Sequence, residues 1–118
     1  MSAHPAPTGY SLVVEATGER HTIDRKLVIG RDSGGITVDD LEASRRHATI
    51  RPLDDGSLEL YDLDSANGTF VNEVRIGPQP LQLEGGDVIR VGRSQLRVEP
   101  LTSAADRQHM PTVIRRAR

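Results

Sequence analysis

Hydrophobic residues in this chain fall in short runs, and polar or glycine-containing turns separate them. Ser11-Leu12-Val13-Val14-Glu15-Ala16 is rich in β-branched residues and stops at Thr17-Gly18, a turn signal. His21-Thr22-Ile23 can return as the second arm of a hairpin. Leu27-Val28-Ile29 ends at Gly30, Ile36-Thr37-Val38 alternates, and Ala48-Thr49-Ile50-Arg51 runs to Pro52 before an Asp54-Asp55-Gly56 turn. Leu58-Glu59-Leu60-Tyr61-Asp62-Leu63 has a clean period of two. It sets Leu58 and Leu60 on one face, which Asp62 would continue. Thr69-Phe70-Val71, Val74-Arg75-Ile76, Leu81-Gln82-Leu83, Val88-Ile89-Arg90-Val91 and Gln95-Leu96-Arg97-Val98 follow, with turns at Asn72-Glu73, Gly77-Pro78, 84–87 and 92–94.

About ten short strands, with eleven glycines and seven prolines between and around them, predict a sandwich or barrel. The stretch 39–48 competes, because Asp39 or Asp40 can cap a short helix. Its apolar residues Leu41, Ala43 and Ala48 make no convincing stripe, so a loop is expected. Pro5, Pro7 and Gly9 mark residues 1–10 as a flexible leader, 11–100 as the folded domain, and 101–118, where period two is lost, as a basic flexible tail or truncated linker.

The chain's 118 residues, one domain with short tails, suffice for a core without disulfides or metals. The absence of cysteine excludes a disulfide framework, a thiol nucleophile and a Cys-ligated zinc, and fits a reducing compartment. No secretory signal and no membrane-length apolar run is read in the sequence, so a cytoplasmic location is expected. The net charge of −2 argues against a general nucleic-acid binder. Charge is uneven: from Ser103 onward four arginines face one aspartate, leaving +3 there and −5 in the rest. An anion site in the domain must therefore be built from local donors against a repulsive field.

Three polar clusters on predicted loops can supply those donors: Gly30-Arg31, Ser44-Arg45-Arg46-His47, and Ser65-Ala66-Asn67-Gly68-Thr69, closed by Asn72. A phosphothreonine carries close to two negative charges and three strong acceptor oxygens. Arg31 can meet it with parallel N–H donors. Ser44 can add its hydroxyl and, on a loop, its backbone N–H. Arg45 reaches the same phosphate only where the loop folds over it. Asn67 offers a donor and an acceptor, which suit an extended peptide backbone. Gly30 ends a strand where the chain must turn to aim Arg31, and Gly68 can take positive φ without a Cβ penalty.

In this order, on β loops, the clusters closely resemble the forkhead-associated (FHA) domain, a phosphothreonine-binding module, over residues 11–99. The resemblance implies an all-β sandwich of about ten to eleven short, mainly antiparallel strands with binding loops at one end. It implies Arg31, Ser44 and Arg45 on the phosphate, Asn67 on the peptide main chain, and a backbone contact alone from Ala66. Gly30, His47, Gly68, Thr69 and Asn72 would support the site, with His47 bracing two loops. It further implies no cofactor, no metal and no catalysis. The partner would be a phosphothreonine-bearing protein, such as a Ser/Thr kinase or its substrate, with no nucleic acid and no membrane.

A different class, a phosphate-independent scaffold or oligomerisation module using a sheet face, remains the alternative. Ser44 and His47 also invite a hydrolase reading, but no Gly-x-Ser-x-Gly elbow accompanies them. Glu73 adopts positive φ less readily than the glycine often found in that turn of the family. In the tail, Thr112 lies within Met110-Pro111-Thr112-Val113-Ile114 before Arg115-Arg116, which makes it a candidate phosphosite.

Overall fold

The computed structural model describes residues 9–101. The leader as far as residue 8, the tail from residue 102, and Thr112 lie outside the described residues. Eleven strands follow in order: β1 (Gly9–Val14), β2 (Arg20–Ile23), β3 (Leu27–Gly30), β4 (Ile36–Thr37), β5 (Ala48–Pro52), β6 (Leu58–Asp62), β7 (Thr69–Val71), β8 (Val74–Arg75), β9 (Leu81–Leu83), β10 (Val88–Val91) and β11 (Ser94–Leu101). No helix occurs among the described residues. The strands form a sandwich of a six-stranded sheet, ordered β2-β1-β11-β10-β7-β8, and a five-stranded sheet, ordered β4-β3-β5-β6-β9. Pairing is antiparallel except between β3 and β4.

Alternation explains which side chains meet. Leu12 and Val14 of β1, Leu96 and Val98 of β11, and Ile89 and Val91 of β10 point inward. They meet Ile29, Ile50, Leu58, Leu60 and Leu83 from the other sheet in one apolar cluster. Each such side chain contributes about 1.5–3 kcal/mol on burial, so the aliphatic core needs no aromatic centre.

Three local outcomes refine the sequence reading. First, the strands reach past 11–100, with Gly9 pairing Leu101 and Tyr10 pairing Pro100. β10 pairs β11 only as far as Arg97. At Pro100 the strand has one neighbour, where a residue without an N–H is tolerated.

Second, 39–48 contains no helix. The Asp40 carboxylate accepts the Glu42 N–H at 2.9 Å, the Arg93 N–H at 2.7 Å and the Ser94 hydroxyl at 2.8 Å. This ties the segment to the β10–β11 turn. Burial works against the Asp40 charge, but these donors win and hold its pKa below the usual value.

Third, Asn72 and Glu73 both have positive φ, 51° and 68°. That is the backbone of a two-residue hairpin turn of the primed type. Glu73 is held there by an ion pair with Arg90 at 3.1 Å, and Arg90 stacks on the Phe70 ring at 4.1 Å.

Candidate functional site

Three loops gather at one end of the sandwich: 31–35, 38–47 and 63–68. The first two are joined through the backbone. The Arg31 N–H donates to the Ser44 carbonyl at 2.9 Å, and the Asp32 N–H donates to the Arg45 carbonyl at 3.1 Å. Gly30 makes this approach possible. A Cβ there would lie 2.1 Å from the Arg45 carbonyl oxygen and 2.9 Å from that of Ser44. Gly30 is not among the positive-φ residues, so close approach, rather than the expected sharp turn, explains the glycine.

His47 joins the second loop to the third and is fully buried. Its Nδ1 accepts the Ser44 N–H at 2.9 Å, and its Nε2 donates to the Gly68 carbonyl at 2.8 Å. Nδ1 as acceptor and Nε2–H as donor define one neutral tautomer. The ring thus bridges the second and third loops through one bond at each nitrogen. It also alters one expectation, because the Ser44 backbone N–H is occupied and cannot serve a ligand.

The Ser44 hydroxyl has a different assignment. Its oxygen accepts the Ala66 N–H at 3.1 Å. The hydroxyl proton therefore stays available for an outside acceptor, while Ala66 keeps only its carbonyl for a ligand. Arg31 donates Nε to the Ala43 carbonyl at 3.2 Å. One of its five N–H donors is thus spent on positioning, and the terminal nitrogens remain. Arg45 and Arg46 are exposed on the same loop. Asn67 donates its Nδ2 to the Glu42 carbonyl at 2.8 Å, which leaves its Oδ1 to accept.

The third loop has an anchor that motif reading did not single out. Asp62, at the end of β6, accepts the Ser65 hydroxyl and the Thr69 hydroxyl, each at 2.6 Å, and the Ser65 N–H at 3.0 Å. The Ser65 oxygen in turn accepts the Gly68 N–H at 2.9 Å. Burial alone would raise the Asp62 pKa, yet the two hydroxyls and the N–H bring it below the usual value. The signal was present as Asp62 continuing the Leu58–Leu60 face, followed by hydroxyl residues three and seven positions on. Thr69 is fully buried, with its hydroxyl held by Asp62. Gly68 has φ 85°, so the backbone favours glycine there; a Cβ would meet only the Arg75 guanidinium, the mobile end of an exposed side chain.

Asn72 is not brought to this site. Its Oδ1 accepts the Val88 N–H and its Nδ2 donates to Asp87, both at 3.1 Å, at the far end of β7. It supports the sheet, not the loops. Among the described residues, no three His, Asp or Glu side chains cluster as a metal site, and no helix is long and apolar enough to cross a membrane.

The sequence model of the FHA domain family matches residues 27–92, which include all three loops and their framing strands. The chain belongs to the FHA family. FHA relatives include the oxoglutarate dehydrogenase inhibitor of Corynebacterium efficiens, 36% identical over 96 residues, covering 76% of this chain and 66% of that protein. Glycogen accumulation regulator GarA of Mycolicibacterium smegmatis is 33% identical over 96 residues, covering 76% of this chain and 59% of GarA. The chain thus spans about two thirds of the length of these curated relatives, or less. An FHA domain solved in a study of phosphothreonine-dependent FHA interactions superposes with a TM-score of 0.73 at 34% identity, over 81% of this chain and all of that one. The FhaA FHA domain, in complex with the intracellular domain of Rv3910, gives 0.70 at 35% identity, over 77% of this chain and all of that one.

Proposed function

We propose that this FHA domain is a non-catalytic reader of phosphothreonine in an extended segment of a partner protein. The observation that carries the reading is that Arg31 and Ser44 are locked side by side. Two backbone hydrogen bonds across Gly30 hold their loops together, while their outward donors stay available. Arg31 supplies the fork, Ser44 a hydroxyl whose oxygen is already engaged, and Arg45 a second guanidinium from the folded-over loop. Asn67 clamps the peptide main chain with its remaining carbonyl, and the Ala66 carbonyl adds a backbone acceptor. His47 holds Ser44 and Gly68 in place and transfers no proton, because both of its ring nitrogens are engaged inside the fold.

Preorganised donors lose little entropy on binding, but the peptide must be ordered. Affinity near micromolar, about 8 kcal/mol, follows for such a small contact. Relatives named as an inhibitor and a regulator support a role in regulation by binding. We place the partner in a cytoplasmic Ser/Thr kinase pathway, as a kinase or its substrate. Calorimetric titration of matched phosphorylated and unphosphorylated peptides tests the reading. Only the phosphorylated one is expected to bind, and Arg31→Ala and Ser44→Ala are expected to abolish that binding in a folded domain. Equal binding of both peptides would overturn it.

A further inference from the structure

The sandwich is closed along one side and open along the other. Edge strands β2 and β4 bury their inward residues Ile23 and Ile36. Edge strands β8 and β9 leave theirs uncovered. Val74 pairs across its hairpin with the core residue Val71, so both side chains stand on the core face, yet Val74 is 69% exposed. Leu81 pairs with the buried Leu60 and is 38% exposed. Between these two edges lies a groove of about 360 Å³, its apolar lining completed by Ile76, Pro78 and Pro80. Arg75 is the one charged residue that lines it. The two prolines lack N–H groups and have fixed φ, so their wall is apolar and already ordered. Such a volume suits one or two large apolar side chains. It is too small for a stable dimer, which takes about 20–30 residues a side.

The groove continues the peptide path of the proposed site. It adjoins a second hollow of about 430 Å³, which shares Arg75, Ile76 and Pro78 with it and reaches Asp64 on the third loop. The Arg75 guanidinium lies against Gly68, the neighbour of Asn67. The Ile76 N–H donates to the Thr69 carbonyl at 2.9 Å, so Ile76 faces β7. Alternation then turns the Arg75 N–H and C=O outward to the open edge. Arg75 therefore offers main-chain and guanidinium donors to a segment passing from the loop to the groove. Distance agrees. Thr69 lies two residues from Asn67, at most about 7 Å. Ile76 is one strand spacing, about 5 Å, from Thr69, and Val74 is two residues farther along the edge. The path from Asn67 into the groove is about 8–15 Å, or three to five extended residues.

We propose that the groove between β8 and β9 is an apolar anchor subsite for the same partner segment that carries the phosphothreonine. It takes one or two aliphatic or aromatic side chains about three to five residues from the position held by Asn67. The inference rests on the phosphothreonine reading. It divides recognition in two: the loops report that the segment is phosphorylated, and the groove reports which segment it is.

The test titrates the full chain with three synthetic phosphothreonine peptides on a Gly/Ser frame. One has no apolar residue; the other two carry leucine at the third to fifth positions before, or after, the phosphothreonine. One leucine peptide is expected to bind about tenfold more tightly than the plain one. A Val74→Thr/Leu81→Thr chain should bind the plain peptide as the wild type does and lose that gain. Val74→Thr alone, a change of similar shape at an exposed position, should lose at least half of it, which keeps the test decisive if the double variant unfolds. Equal binding of all three peptides would overturn the proposal. So would a gain that survives the substitutions, or sedimentation showing a wild-type dimer that Val74→Thr dissociates, since a second copy would then fill the groove. A plain peptide whose phosphate makes no difference to binding would instead overturn the phosphothreonine reading beneath it.

Discussion

Replacing Gly30 with alanine tests whether the two phosphate loops owe their spacing to one missing methyl group. The added Cβ would sit 2.1 Å from the Arg45 carbonyl oxygen and 2.7 Å from its carbon, both backbone atoms that no rotamer change can move. Ordinary contact begins near 3.4 Å, so the 38–47 loop must retreat by more than an ångström. That retreat breaks the Arg31–Ser44 and Asp32–Arg45 backbone bonds, now 2.9 and 3.1 Å. At about 1 kcal/mol each, with part of a desolvation penalty for the freed groups, the loss is about 2–4 kcal/mol. For a domain this size it lowers the midpoint of thermal unfolding by roughly 10–25 °C. Ser44 and Arg45 move away from Arg31, and losing one charge-assisted contact weakens phosphopeptide binding by roughly 10–100-fold. Gly77→Ala is the control: a Cβ there meets nothing within 4 Å, and its φ is not positive. It should shift stability by less than about 0.5 kcal/mol. Differential scanning calorimetry and peptide titration measure both quantities. A Gly30→Ala domain indistinguishable from Gly77→Ala would refute the close-approach argument.

Asp62 has a folded pKa below its unfolded value, so its stabilisation is present above about pH 4 and is lost as pH falls through the folded value. Asp62→Asn should flatten acid unfolding below pH 4 and cost about 1–3 kcal/mol at pH 7; denaturant midpoints across pH check it, and an unchanged acid limb would contradict it. Glu73→Gly removes a side chain held at φ 68°, relieving about 1–2 kcal/mol of strain. It also loses an exposed pair with Arg90 worth under about 1 kcal/mol, so a net gain near 0.5 kcal/mol is expected; a lower urea midpoint would count against this balance. Asn67→Ala unties the third loop from Glu42 while leaving the core intact. Peptide affinity should fall roughly tenfold or more with stability changed by under about 1 kcal/mol, and the reverse pattern would make Asn67 a structural residue.

Period-two alternation was enough to locate the strands, because burial on one face selects side chains at every second position. The order β2-β1-β11-β10-β7-β8 was not legible, since it depends on which distant strands pair, and no local pattern records that. Donor types at the site were readable from Arg31, Ser44 and Asn67. Their allocation was not. The Ser44 N–H looked free on a loop, but His47, three residues on, takes it. Asp40 looked like a helix cap, and it caps instead a turn fifty-three residues away. Asn72 matched a family motif, yet the fold puts it at the other end of β7. Motifs name residue types, whereas partners are fixed by tertiary closure.

The register Gly9↔Leu101 brings the chain into and out of the sandwich side by side, at the end of β11 remote from Ser94 and the loops. This sets how the module responds to tension. A pull between those two strand ends opens β1 from β11 one hydrogen-bonded pair at a time, a low-force unzipping. A pull between a partner docked at the loops and Leu101 runs along β11 and loads its ladders to β1 and β10 together, a shear that must break many bonds at once. The domain is therefore mechanically directional, yielding to its own tethers while holding firm along the line that joins tether to cargo.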